Sequence, residues 1–242
     1  MCAHAARSTA WTRRLTSRRT RRERPSGNAN LAKAAKKAGV KRFVLTSILN
    51  CDKAPNVPHF ESKRLAEEAL RTEGVPFVSL RPGAFLDQGN HMTEDGVRKN
   101  SFQSLFGDAD QTRITYVYAE DLADSLVKAV TAPGVDGQII DVGWTRAVTA
   151  KELCDLIAQA TNRPVKLTVY PYWVMRIMLG VAGLFKPLFA DIAAMIQFFR
   201  EENGAKYRAD ATKHEQLLGP VPTPEDAVKR WAEAAGLVLP PS

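Results

Sequence analysis

From residue 28 to residue 170 the apolar positions switch repeatedly between three-to-four spacing and short unbroken runs, and this alternation carries the fold class. Leu31, Ala34, Ala35 and Ala38 recur at helical spacing up to Gly39, which suits a helix C-cap. Arg42-Phe43-Val44-Leu45-Thr46-Ser47 then reads as a buried parallel strand. A polar loop with Asn50, Asp52, Pro55 and Pro58 leads into a helix predicted over 61–72, with Leu65, Ala66, Ala69 and Leu70 on one face and Gly74 at its end. Residues 75–81 form the next strand, stopped by Pro82-Gly83.

Residues 86–113 are polar and weakly patterned, and read as loops with one or two short helices over the strand ends. A strand over 114–118 precedes a helix over 120–131 with Leu122, Ala123, Leu126, Val127 and Val130 inward. Another strand covers 138–142. Thr149 with Glu152 three residues on, ahead of Leu153, Leu156 and Ile157, makes a capping box, and 165–169 reads as a short strand. The repeated strand and helix units predict an α/β parallel sheet. The stretch 170–199 is apolar and aromatic but is interrupted by Arg176, Lys186 and Asp191, so it falls short of the roughly 18 residues a bilayer span needs. Pro187 divides it into two helices. Trp173, Val174, Ile177, Met178 and Val181 share one side of the first, where core packing is expected; Arg and Lys are too few to favour an anionic lipid surface, and an apolar substrate wall or lid is the third use. Thr223-Pro224-Glu225-Asp226 is a helix start leading into 227–235.

Composition changes the picture in one place. The chain of 242 residues is 45% hydrophobic and 25% charged, ordinary globular values that exclude a disordered or collagenous protein. Its net charge of +8 is concentrated in residues 1–26, where eight arginines face Glu23 alone; the remainder is nearly balanced, so nucleic-acid binding is not expected. That basic segment reads as foreign to the domain, as a transit-like presequence, or as an arm for polyanions. Cys2, Cys51 and Cys154 are odd in number and far apart, which speaks against a disulfide scaffold or a cysteine metal site and for a reducing compartment. Cys51, His91 and His214 have no sequence partners that suggest ligation or nucleophilic catalysis.

Several phrases then carry a family resemblance: the stretches 35–44, with Thr46-Ser47 after them, 62–67 (Ser-Lys-Arg-Leu-Ala-Glu) and 76–85 (Pro-Phe-Val-Ser-Leu-Arg-Pro-Gly-Ala-Phe), and beyond them 117–123, 137–143 and 149–153. Each is short; their order and spacing over residues 28–236 resemble the NmrA-like atypical short-chain dehydrogenases, which are NAD(P)-binding Rossmann proteins. The resemblance implies that Ser47 is the hydroxyl ending the fourth strand and that Lys63 is the lysine of a Tyr-x-x-x-Lys remnant, holding the nicotinamide ribose. His59 stands at the tyrosine position, as a proton donor or a surface histidine. Pro82, Gly83 and Phe85 would line the nicotinamide ring, and NAD(P)H would pass hydride to a small apolar acceptor such as a quinone or other carbonyl compound. Asp121, near a helix N-terminus, is expected to be structural.

A dinucleotide site also needs a strand, a glycine-rich turn and a helix that holds the pyrophosphate, and no G-x-G-x-x-G occurs; the one glycine before Gly39 is Gly27. The expectation is an incomplete doubly wound Rossmann-like sheet lacking its phosphate-binding half, through a truncated gene, a frameshift or a wrong start, with cofactor binding weakened or lost. Residues 1–27 form a basic segment, disordered or not native to the domain. Residues 28–145 form the second half of the Rossmann-like unit, and 146–242 a mainly helical substrate or interaction region. The Phe43 strand would then lie at an open sheet edge, exposed or covered by the N-terminal segment, a homodimer mate or another partner. A cytoplasmic NAD(P)H-dependent reductase without metal is one reading, with an organelle as the alternative site if residues 1–26 are a transit peptide. A non-catalytic nucleotide sensor or accessory subunit is the rival.

Overall fold

The computed structural model describes residues 27–87 and 92–240, so the basic segment predicted over 1–27 lies, but for Gly27, outside the described residues, as does His91. The first predicted helix is α1 (Gly27–Ala38), and it closes on Gly39 at φ +63°, a left-handed conformation that glycine adopts without a Cβ clash. Its buried face is Ala32 and Ala35, whereas Leu31 is exposed. Small side chains there let α1 pack against α2 (Pro58–Thr72). That helix starts three residues before its predicted N-terminus because Pro58, read as loop, occupies the first helical turn, where a missing N–H costs nothing. Ala66 and Leu70 face inward as expected, joined by Phe60 and Glu67, while Leu65 is exposed.

β1 (Phe43–Thr46) lies between these helices in sequence, and β2 (Phe77–Pro82) follows α2; the two run parallel with Phe43 opposite Phe77 and Thr46 opposite Leu80. After β3 (Ala84–Phe85), the weakly patterned region holds α3 (Met92–Arg98) and a strand the sequence did not announce, β4 (Ser101–Ser104). β5 (Tyr116–Val117) pairs in parallel with β3, and α4 (Ala119–Thr131) leads to β6 (Ile139–Val142), which pairs in parallel with the far side of β2. The main sheet has the order β1-β2-β6, so among the described residues β1 is an edge. Helices α1 and α2 cover one face through Leu45 and Phe77, and α4 the other through Val78, Leu80 and Ile140, which is why these strands are apolar on both sides. On α4 the inward positions are Leu122, Ser125 and Ala129; Ala123, Val127 and Val130, predicted inward, are exposed, because the helix presents Ser125 to a buried His214.

α5 (Ala150–Thr161) begins with the predicted capping box, the Thr149 hydroxyl accepting from the Glu152 N–H and the Glu152 carboxylate from the Thr149 N–H. β7 (Lys166–Val169) pairs in parallel with β4. α6 (Tyr172–Phe185) and α7 (Pro187–Arg200) form a hairpin divided at Pro187. The face of α6 expected to pack inward instead points outward: Trp173, Ile177, Met178 and Val181 are exposed, and its inner side is Met175 with small residues against α7. α8 (Thr212–Leu218) and α9 (Pro224–Ala234) complete the chain, the latter capped by Thr223 as predicted. One hydrophobic cluster runs from Leu49 and Phe60 through Trp144 to Leu153, Phe199 and Trp231, tying the C-terminal helices to the strand ends.

Candidate active site

The predicted site residues meet, in part, at the carboxyl ends of β1 and β2, the side of a parallel sheet where ligands bind. The Phe43 N–H donates to the Pro76 carbonyl just before β2 and the Ser47 N–H to the Leu80 carbonyl within it, so the intervening Thr46 carbonyl faces the other, unpaired edge of β1. Lys63, one turn into α2, donates to that carbonyl from Nζ at 2.8 Å. A strand-edge carbonyl is thereby satisfied with one of three ammonium protons. Alongside, the Leu49 N–H donates to the Pro82 carbonyl at 2.9 Å, which brings the chain after Ser47 against the Pro-Gly turn. Ser47 itself is buried, its Oγ 3.6 Å from Cys51 Sγ.

His59 precedes Lys63 by four residues and so shares its face of α2. Its Nδ1 lies 2.8 Å from Asp191 Oδ1 on α7, and its backbone N–H also reaches that oxygen at 3.5 Å. Val57, at the N-cap of α2, has no side-chain oxygen to offer, so Asp191 from the facing helix supplies the carboxylate that the helix start requires. The imidazole packs edge-on to Phe60 at 4.7 Å.

Beneath this surface is a buried polar cluster that sequence reasoning passed over. Arg81 donates from Nε and Nη2 to the two Glu67 oxygens at 2.9 and 2.7 Å and from Nη1 to Asp52 at 2.7 Å, and Ser79 Oγ donates to Glu67 at 2.8 Å. Burial alone would raise the Glu67 pKa, but the Arg81 fork and the Ser47 and Ser79 hydroxyls more than offset it and hold the carboxyl below its ordinary value. Burial first, and then the Glu67 charge, push the Cys51 thiol up, which keeps it an unreactive thiol. The signal was available: an arginine and a serine inside a strand of mainly apolar residues, and a glutamate on the inward face of α2. Burial likewise raises Asp141, which lies opposite Arg81 on β6 and accepts the Asp210 N–H at 3.0 Å.

Pro82 and Gly83 are buried and Phe85 is half-buried against the α4 side of the sheet. Gly83 is required by the chain's own packing, since a Cβ there would collide with the Thr115 carbonyl as β3 passes β5. For a dinucleotide, the N–H groups that Lys63 keeps beyond the one given to Thr46 are donors of the kind ribose hydroxyls accept. At the phosphate end, no described strand passes through a glycine turn into a helix: α2, α4 and α5 start from Val57, Tyr118 and Thr149, and the α2 start is taken by Asp191. Two clefts are lined by other residues. One of about 310 Å³ lies between α6 and α7, bordered by Tyr172, Met175, Leu179 and Ile196. The other, about 200 Å³, abuts Gly143, Asp121, Lys128 and His214. There the ring of His214 is used internally, Nε2 to Ser125 at 3.0 Å and Nδ1 to the Gly219 carbonyl at 3.1 Å, and burial lowers its pKa. Among the described residues no group of His, Cys, Asp and Glu could hold a metal ion, and no helix is long and apolar enough to cross a membrane.

The NmrA-like family matches residues 20–220. Among curated proteins, the chain is 28% identical over 160 residues to a photosystem II assembly factor of Synechocystis sp., covering 66% of this chain and 48% of that one. It is 30% identical over 141 residues to an NAD(P)H azoreductase of Xenophilus azovorans, covering 57% of this chain and 47% of the relative. The chain thus spans about half the length of the curated relatives it matches. Among solved structures, an NADPH-dependent quinone oxidoreductase of Escherichia coli in complex with NADPH superposes with a TM-score of 0.66 at 21% identity, covering 84% of this chain and 70% of the other, a likeness of fold.

Proposed function

Because this chain belongs to the NmrA-like family, we propose that it acts in NAD(P)H-dependent reduction of an apolar acceptor, a quinone or related carbonyl compound, with the carboxyl edge of β1 and β2 turned to the nicotinamide. The observation that carries this reading is the Lys63 ammonium anchored at the Thr46 carbonyl, next in the chain to Ser47. When bound, the cofactor supplies hydride. Lys63 keeps two N–H donors for the ribose hydroxyls, and Pro82, Gly83 and Phe85 give the ring an apolar, water-poor wall. Ser47 positions the strand end from beneath. With Nδ1 engaged by Asp191, the His59 Nε2 is the nitrogen that delivers a proton to the reduced acceptor. The activities that name the azoreductase and the quinone oxidoreductase support the acceptor class. A reducing compartment, the cytoplasm or an organelle reached through residues 1–26 as a transit segment, suits the free, buried Cys51 and Cys154.

The test is NADPH oxidation against a panel of quinones, with Lys63→Ala as the variant. The reading expects turnover that falls at least a hundredfold in kcat/KM in the variant. Turnover unchanged by Lys63→Ala, or no turnover with any acceptor, contradicts it. A non-catalytic accessory or nucleotide-sensing role is the second reading. It is favoured by His59, whose side chain serves the α2 cap through Asp191, and by the assembly-factor relative. NADPH binding that persists without any turnover would select it.

A further inference from the structure

Helices α6 and α7 approach most closely near their bend, where a Cβ on Gly183 would stand only 3.1 Å from the Ala190 backbone nitrogen. Away from the bend they part around the cleft of about 310 Å³. Met175 and Leu179 line it from α6 and Ala190, Ala193 and Ala194 from α7, so its walls are apolar. Gly180 lines it too, and no contact of the chain accounts for a glycine there. Its φ is not positive and a Cβ would meet nothing within 4 Å, although glycine weakens a helix interior relative to alanine. The missing side chain leaves the cleft open at that level.

The polar part of the lining lies at the end away from the bend. Arg176 and Gln197 are each about two turns further from the bend than Gly183 and Ala190, and so stand level with one another across the hairpin. Both line the cleft, and neither side chain makes a hydrogen bond or ion pair within the described residues. Arg200 is different: it is held by Asp108 at 3.0 Å and stacks on Tyr172 at 4.4 Å. Among the described residues that line the cleft Arg176 is the one charged group. The result is an apolar slot roughly 10 Å long with a cation that has no ion-pair partner and an amide at one end. A guanidinium fork matches a carboxylate with two parallel hydrogen bonds, and apolar walls take a hydrocarbon chain. We propose that the α6–α7 cleft binds the carboxylate of a medium-length acyl chain, with Arg176 and Gln197 at the head group and Gly180 and the alanines along the chain. A neutral chain of the same length leaves the cation unmatched, and a short acid leaves the apolar walls wet. Neither Lys63 nor Ser47 lines this cleft, so the site is independent of the redox reading.

The experiment is calorimetric titration of the full chain with octanoate below its micelle-forming concentration, beside octanol and acetate. Two variants accompany it, Arg176→Gln and Gly180→Leu, the second placing a side chain in the open space at the cleft. Both positions are exposed, and circular dichroism with a melting curve checks that the variants fold. The expected results are saturable binding of one octanoate per chain, at least tenfold weaker binding of octanol and of acetate, and at least a tenfold loss for octanoate in each variant. Octanol or acetate bound as tightly as octanoate leaves the head group or the chain without a role and overturns the proposal. Binding undiminished in Arg176→Gln assigns the carboxylate to another cation, the arginines of residues 1–26 included, and overturns it as well. So do binding undiminished in Gly180→Leu and absence of binding. Should Gly180→Leu fail to fold, Arg176→Gln and the octanol comparison decide alone.

Discussion

Arg81 stands in the most enclosed strand of the molecule, and its charge is tolerable there because Glu67 meets it with two parallel hydrogen bonds and Asp52 with a third. Removing one partner of such a pair leaves an uncompensated buried charge, so Glu67→Gln should lose about 3 kcal/mol at neutral pH in denaturant unfolding. The pH dependence has a definite sign. The Glu67 pKa is depressed on folding, so its contribution is full above the ordinary carboxylate value of 4.5 and is lost as pH falls below it; the wild-type and variant midpoints should converge in acid. His214 acts in a separate window. Burial lowers its folded pKa below 6.5, so the stability it confers is present above pH 6.5 and declines as pH drops through the depressed value. His214→Gln should flatten that part of the stability curve, and an unchanged slope would contradict the assignment. Lys63 and His59 were nameable in the sequence from their four-residue spacing and family phrase; Asp191, which holds His59, was not, because it lies 132 residues away and meets its partner only through the packing of α7 on α2.

Elements that carry their own boundary signals were legible. The Gly39 and Gly74 stops, the Thr149–Glu152 box, the Thr223-Pro224 start and the break at Pro187 all depend on local chemistry, and all appear where the sequence puts them. Thr149→Ala should therefore cost α5 about 1 kcal/mol, read as a shifted denaturation midpoint. What sequence could not supply was the rotation of helices about their axes. Spacing shows that apolar residues share a face; the partner decides which face turns inward. On α4 the Ser125–His214 contact wins over Val127 and Val130, and on α6 the small residues that admit close approach to α7 win over the large ones, with Gly183 tight against Ala190. β4 was missed because Ser101-Phe102-Gln103-Ser104 holds a single apolar residue and its partner β7 lies more than sixty residues further on. Gly83 belongs to this scale too. With no room for a Cβ beneath the Thr115 carbonyl, Gly83→Ala should destabilise by about 1–3 kcal/mol and loosen β3 from β5, seen as faster amide exchange at Leu86.

At the scale of the molecule, the parallel sheet, its helix-covered faces and the cluster from Leu49 to Trp231 place a lysine, a histidine and a Pro-Gly turn around the carboxyl ends of β1 and β2. The parallel α/β class followed from the alternation of periods, whereas the sharing of one core between residues 28–145 and the C-terminal helices depends on contacts too distant in sequence to leave a local trace. The reductase reading stands or falls on whether nicotinamide binds beside Lys63. Saturation-transfer NMR detects even weak binding, which suits a protein whose described residues include no glycine cradle for phosphates. The account predicts transfer from the protein to the nicotinamide ring protons of NADPH, reduced at least tenfold in Lys63→Ala at equal concentrations. Transfer of equal strength in both proteins, or confined to the adenine protons, would contradict it.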